Sequence, residues 1–432
     1  LSIAVHSGAR LWSGARVLIV FGFPLSSSPQ TASPSKLRLI SILSVSQLLG
    51  WGTTFDMPSV LGRAMERDLG LPFETIFAGL SVMMAMVALA SPRIGRLLVG
   101  LGAARVMAAG SGILAVGLAG LASAQGPISY FAAWAVIGFG GAFALTVPAN
   151  TAIVEREGLG SKRTMSTMSV FTGLSSAIFW PVLSLGDAAF GWRITLYLAA
   201  AAHLVVMLPL HLLALPPRQQ AASEASATGM AANVPLAARA RMIALGLIAA
   251  GSSLIALLTF GISPSLIELL KQSGATPELA LTLGSLRAVI GISARLGSTM
   301  LIERVSTVTS GLAGSIVLLA GFALLTLAAP SLLAPAGFVL LYGAGAGIVT
   351  IVRTLLPLAF FSREEFALIS SRVALAQYTA TAVAPFLFAA ILENLGLRGV
   401  LAVSVAICVV FLGVMLGLMR LQNTERVRGP LG

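Results

Sequence analysis

Apolar residues run along this chain in long blocks rather than in strict alternation, and the blocks are about as long as a bilayer is thick. A helix needs about 20 apolar residues to cross the hydrocarbon core. Twelve stretches qualify, near residues 38–61, 73–91, 106–124, 128–153, 165–186, 193–215, 242–264, 278–296, 309–328, 336–361, 370–392 and 398–420. Several contain Gly or Pro, among them Pro148, Pro181, Pro357 and Pro385; bilayer helices accommodate both because neighbouring groups re-satisfy the backbone. The ten-residue alternating segments that a β-barrel needs are not present. The pattern predicts an all-α integral membrane protein with twelve transmembrane helices.

Composition sharpens this. Hydrophobic residues are 57% of 432 and charged residues 10%, against about 25% charged in a soluble domain, and the mean hydropathy is +0.96. Basic residues set orientation, since Lys and Arg stay on the cytoplasmic side. With a cytoplasmic N-terminus, 20 of the 27 basic residues fall on that side and 5 on the other, and Arg287 and Arg353 are left inside the membrane. Both termini are then cytoplasmic. The net charge of +12 reads as topology and contact with the lipid bilayer rather than as nucleic-acid binding. The lone cysteine, Cys408, sits within the last apolar stretch, so the sequence offers neither a disulfide nor a cysteine metal site.

The two halves repeat. Gly70 and Glu74 of "DLGLPFE" align with Gly274 and Glu278 of "QSGATPE" at an offset of 204; "GFGGAFALTVP" (138–148) aligns with "GAGAGIVTIVR" (343–353), and "GWR" (191–193) with "GLR" (396–398), at 205. The expected organisation is a disordered tail over 1–36, where the apolar run "VLIVFGFPL" is too short to span, and a six-helix bundle over 37–215. A cytoplasmic linker over 216–241, rich in Ala, Ser and Pro, leads to a second bundle over 242–420 and a tail over 421–432.

Tandem six-helix repeats point to a transporter whose substrate site lies near the midplane between the halves. At this point the chain resembles the major facilitator superfamily (MFS). The resemblance rests on the six-plus-six layout, on "PRIGRLLVGLGAARVM" (92–107), on "GWR" opening helix 6 and on "ARLGSTMLIERVS" (294–306). "FWP" (179–181), "HLVVMLPLHLL" (203–213) and "LYGAGAGIVTIVRTLLPLAFF" (341–361) are similar to a bacterial branch whose members are mostly named only as transporters. The resemblance implies a monomeric inner-membrane protein and a cytoplasmic gate built from Gly95, Arg96 and Arg105, with Glu303 and Arg304 as a latch in the other half. It also implies a lipid-facing helix 6, so that His203 and His211 are structural. Two departures stand out: Val99 occupies the position where the family's loop motif carries an aspartate, and "GLSSAIFWP" (173–181) replaces the Gly-Pro-Gly-Gly run of drug/proton antiporters.

Polar residues inside the apolar stretches are the candidates for a site, because an intramembrane charge costs roughly 2.5 to 3.5 kcal/mol even on the lenient scale. Arg353 either snorkels or holds a carboxylate or a neighbouring helix. Arg287, near the middle of helix 8, is too deep to snorkel with ease. Asp56 in "WGTTFDMPSV" is a candidate proton carrier, since burial raises a carboxylate's proton affinity; it is alternatively hydrated, paired with Arg63, or paired with Arg287 across the halves. Gln47, Trp51, Asn150, Gln377 and Tyr378 supply uncharged polar groups for a substrate cavity. "GAGAG" (343–347) has the glycine spacing of a phosphate loop but lies within a membrane helix, where close helix packing explains it.

No catalytic motif is present, and the sequence calls for no cofactor or metal. The expected function is secondary transport by alternating access, probed by two inward arginines that favour a small organic anion and by a coupling proton or other ion. The rivals are a proton-antiport exporter of a neutral or cationic toxic compound and a transporter-like sensor without flux.

Overall fold

The computed structural model describes residues 34–216, 237–301, 304–328, 331 and 333–428. The expected tail to residue 33, most of the linker (217–236) and Glu303 lie outside the described residues. Within them the chain is helical: α1 (Pro34–Thr53), α2 (Met57–Leu69), α3 (Phe73–Leu101), α4 (Ala103–Ala122), α5 (Pro127–Ala144), α6 (Thr146–Glu157), α7 (Ser161–Gly173), α8 (Ser175–Ala201), α9 (Ala238–Gln272), α10 (Pro277–Leu301), α11 (Thr307–Ala328), α12 (Leu333–Phe360) and α13 (Arg363–Arg428). Two π-helical turns, Ala202–Met207 and Leu210–Ala214, carry α8 onward.

Nine helical stretches among the described residues are long and apolar enough to cross a membrane. Two of them, of 54 and 62 residues, bend back at Gly191 (φ 78°) and Gly396 (φ 62°) and so supply two passes each. The α1–α2 pair adds another, and the arrangement is consistent with twelve. Gly191 and Gly396 are the glycines of "GWR" and "GLR". Gly70 (φ 64°) and Gly274 (φ 107°) likewise sit at equivalent turns, where a left-handed backbone favours glycine because it lacks a Cβ.

Each half has its own apolar core. The first is built around Tyr130, Trp134, Met83 and Leu114; the second around Phe322, Phe338, Tyr342, Phe388 and Phe411. Equivalent close approaches recur in both: Gly52 of α1 leaves no room for a Cβ beneath Phe179, and Gly261 of α9 none beneath Phe388. The first core also takes in Ile351, Leu355 and Leu358 of α12 and Phe366, Ala367, Ala374 and Tyr378 of α13. The halves therefore share packed surface along one part of their seam.

Polar anchors fix the helix ends. Asp68 of α2 accepts from Trp192 Nε1 (3.0 Å) and Arg193 Nε (2.9 Å), while Arg193 Nη1 donates to the carbonyls of Ala122 (2.6 Å) and Ala124 (2.8 Å). The "GWR" element thus ties the return of α8 to the ends of α2 and α4. At the other end of the bundle, where α1 begins and α6 stops (the proximal end), Lys36 lies 3.6 Å from Glu157, and Arg156 Nε donates to the Pro216 carbonyl at 2.6 Å. His203 and His211 face inward, 2% and 1% exposed. His203 Nε2 meets Thr53 Oγ1 at 3.0 Å, and His211 bridges Ser46 (2.7 Å) and Ser111 (3.0 Å). Both rings are interhelical ties to α1, with His211 also reaching α4.

Candidate functional site

A cavity of about 90 Å³ lies between the halves. Its wall is assembled from Trp51 of α1, Thr146, Val147 and Asn150 of α6, Phe260 of α9, Arg353, Thr354 and Pro357 of α12, and Phe366, Ser370, Val373, Ala374, Gln377 and Tyr378 of α13. Helical periodicity explains the composition of the α13 wall, where 366, 370, 373, 374 and 377 recur at three- and four-residue spacing on one face. The same holds for Arg353 and Pro357 on α12.

Several polar groups on this wall have no partner among the described residues, while Thr354 Oγ1 donates to the Thr350 carbonyl at 3.1 Å. Among the described residues no hydrogen bond or ion pair engages the Arg353 guanidinium. Trp51 Nε1, Asn150 Oδ1 and the Ser370 hydroxyl are buried without partners. Tyr378 lies within hydrogen-bonding reach of Thr146 and within electrostatic reach of Arg353. Buried polar groups are nearly always paired, so several orphans on one cavity leave donors and acceptors free to meet a polar group placed there. The wall is rich in donors and contains no carboxylate, while Val147, Phe260, Pro357, Phe366 and Val373 supply apolar surface.

Five sequence-predicted residues thus come together: Trp51, Asn150, Arg353, Gln377 and Tyr378. Gln47 and Arg287 do not line the cavity. Gln47 is 1% exposed and its amide donates to the Ala144 carbonyl at 3.0 Å. Arg287 projects from α10 over the Tyr342 ring, 5.7 Å from its centroid, with Nε buried and unpartnered.

Asp56 sits in a break. After Thr53 the helix yields to a turn in which Asp56 N–H donates to the Trp51 carbonyl at 3.1 Å, and α2 starts at Met57 with Pro58 in its first turn, where proline's missing N–H costs nothing. The Asp56 carboxylate is within hydrogen-bonding reach of Ser175. It forms no ion pair with Arg63 or Arg287; Arg63 pairs instead with Glu66 at 2.8 Å and stacks on Phe73.

Toward the proximal end the seam is closed. Gly95 of α3 crosses α13 so tightly that a Cβ would collide with Ser371 Oγ. Ser166 of α7 and Thr299 of α10 meet at 2.5 Å, and Arg295 Nη1 donates to the Ser169 carbonyl at 3.2 Å. Arg96, Arg105 and Arg304 are exposed, and their guanidinium groups have no hydrogen-bond or ion-pair partner among the described residues. The N-terminus of α4 is instead met by Glu155, whose carboxylate accepts from Ala103 N–H at 3.2 and 3.3 Å. Toward the opposite end, Phe55 stands edge-on between Trp51 (5.9 Å) and Phe260 (5.5 Å), an aromatic contact across the seam. Beyond it a groove of about 500 Å³ is lined by Ser59, Val60, Ser176, Ala177, Trp180, Pro181 and Ser184.

The family model described as Major Facilitator Superfamily matches residues 40–357. The chain belongs to the major facilitator superfamily. Membership makes it an integral membrane protein of a transporter family, and secondary transport of a small solute is the coarse function that follows. Solved MFS structures share the fold. The human organic anion transporter MFSD10 (TETRAN) aligns with a TM-score of 0.69 at 16% identity, over 88% of this chain and 100% of that one. The Escherichia coli fucose:proton symporter FucP aligns at 0.66 and 12% identity, over 90% and 99%. At such identities the likeness speaks for the MFS fold alone. No curated protein sequence matches the chain significantly.

Several residues of the site gave no sequence signal. Phe55 and Phe260 are aromatics in apolar helices, indistinguishable by pattern from core. Arg295 falls at the end of the apolar stretch 278–296, whereas α10 runs on to Leu301 and buries its Nε. Only a contact across the seam identifies it.

Proposed function

We propose that this MFS chain carries a small organic anion across a bacterial inner membrane by alternating access, with both termini cytoplasmic and the monomer as the working unit. The observation that carries the reading is Arg353: its guanidinium has no hydrogen-bond or ion-pair partner among the described residues and opens on a carboxylate-free cavity between the halves. A guanidinium matches two carboxylate or phosphate oxygens with parallel N–H donors, and such an anion would offset the cost of keeping the charge away from water. Trp51, Ser370, Tyr378 and Gln377 add neutral hydrogen bonds, and Phe260, Phe366 and Val373 receive the organic part. The two-bundle division at the 216–241 linker supplies the moving bodies.

The test is thermal stabilisation of the purified protein by organic anions, cations and neutral solutes, since a ligand that binds the native state raises apparent stability by mass action. Anions alone should raise Tm. A response confined to cations or neutral compounds would return Arg353 to a structural role and favour an exporter of such compounds.

Proton coupling is assigned to Asp56. It sits at a helix break, next to the aromatic contact of Phe55 and Phe260, with no cation paired to it among the described residues, so it can bind and release a proton as its exposure changes. Asp56→Asn should abolish acceleration of flux by a pH gradient while sparing exchange of anion at equal pH. Gradient-driven flux that survives the substitution would assign coupling elsewhere.

A further inference from the structure

We propose that Arg287, Arg295 and Arg353 act as one positive field that makes the cargo a dianion, with Arg295 as the residue that sets this charge preference. The inference rests on the anion reading above and deepens it.

The three arginines converge through close approach of α10 and α12. Gly343 packs against the Arg287 carbonyl, at 3.1 Å from where its Cβ would stand, and Gly347 against the Gly291 carbonyl at 2.5 Å. Residues 287, 291 and 295 lie one turn apart on α10, so both arginines flank this glycine-lined contact, and Arg353 follows on α12. Arg295 is within electrostatic reach of both Arg353 and Arg287.

None of the three has an ion-pair partner among the described residues. Ion pairs between described residues join Lys36, Arg63, Arg156, Arg193 and Arg241 to acids, and none of these involves Arg287, Arg295 or Arg353. Arg287 Nε and Arg295 Nε are buried without acceptors. Arg287 has the face of Tyr342 and Arg295 a single carbonyl, that of Ser169. Asp56, in the turn between α1 and α2, is not paired with any of them. Like charges held together away from water repel one another strongly. A monoanion at Arg353 would offset one charge of three, and a second negative charge on the same ligand would be drawn by the field of the other two.

Arg295 differs from Arg287 in touching the opposite half. It spends one donor on α7 and is seated over Gly173, where a side chain would collide with its Nη1. It can therefore register ligand charge without lining the cavity. Its role is to tune charge preference, not to contact the ligand in this state.

The experiment measures affinities for matched pairs, C4 to C6 dicarboxylates against their monoamides at neutral pH, by thermal stabilisation of wild type, Arg295→Gln, Arg295→Lys and Arg287→Gln. In wild type the dianion should bind about tenfold or more tightly than its monoamide. Arg295→Gln should bring that ratio toward one while monoamide affinity holds, and Arg295→Lys, which keeps the charge, should preserve it. A purely structural strap between α7 and α10 would lower stability without moving the ratio, which overturns the assignment to Arg295. Equal binding of both members in wild type, still dependent on Arg353, overturns the dianion inference and leaves the anion reading standing. No stabilisation by any anion overturns both. Because the wild-type ratio needs no variant, a substitution that fails to fold does not decide the outcome, and Arg287→Gln, expected to lower the ratio as well, gives a second independent reading.

Discussion

Arg353→Gln should weaken anion binding by roughly 2 to 5 kcal/mol, the usual cost of removing one partner of a desolvated, hydrogen-bonded charge pair, or about 30-fold to several thousand-fold in Kd. The ligand-free protein should meanwhile become no less stable, and its Tm should rise. A guanidinium with no partner among the described residues is a burden in the empty state, since its desolvation is uncompensated, and glutamine removes that charge while keeping a shorter polar side chain. Arg353→Lys should recover part of the affinity, because an ammonium supplies charge but not the planar pair of donors. Opposite signs for ligand-free stability and ligand affinity are what separate a binding arginine from a structural one. If Arg353→Gln lowered Tm sharply and left ligand response intact, the residue would be holding helices together.

The second large effect is expected at Gly95. Its Cα approaches α13 at Ser371 and the Ala367 carbonyl, which would lie 3.2 Å from an added Cβ, and backbone cannot move aside as a flexible side chain can. Overpacking of this kind costs about 1 to 3 kcal/mol, and in the alternating-access reading the cost falls on the proximally closed arrangement seen here, in which α3 and α13 meet tightly at Gly95. Gly95→Val should therefore shift the population toward the open arrangement by about 5- to 150-fold. The measurement is the rate at which an aqueous thiol reagent modifies Thr299→Cys at the closed seam, with the buried Cys408 replaced by Ala. The rate should rise with Gly95→Val and less with Gly95→Ala. An unchanged rate would mean that α3 and α13 do not separate as the seam opens.

The transmembrane architecture was legible because the bilayer demands long apolar runs, and no other constraint on sequence is as strong. The internal repeat was legible at its turns, where left-handed glycines recur at Gly70 and Gly274 and at Gly191 and Gly396. Within the site, polar residues announced themselves against an apolar background, and Trp51, Asn150, Arg353, Gln377 and Tyr378 share a cavity for that reason. The same criterion could not separate a ligand-facing amide from one that caps a carbonyl, which is why Gln47 turns to Ala144 and Asn150 to the cavity. Nor could it see Phe55 and Phe260, whose importance lies in the seam they straddle. The break at Thr54–Asp56 had a local cue in Pro58, but a proline is tolerated in so many membrane helices that its position alone does not mark an unwound turn. The loop motif was legible in part: its Gly95 lies at the tight crossing with α13, whereas the contact at the start of α4 comes from Glu155, distant in the chain and close only once α6 is folded beside it.

The central claim is that the cavity lined by Arg353 is the path of an anion through the membrane. It is tested most directly by uptake of a labelled dicarboxylate into proteoliposomes holding either wild type or Arg353→Gln at equal protein content. Saturable uptake by the wild type, competed by unlabelled anions and not by cations, and lost with Arg353→Gln in a protein of equal or higher Tm, is the predicted result. Uptake of equal rate through both proteins, or saturable uptake competed only by cations or neutral solutes, would contradict the account.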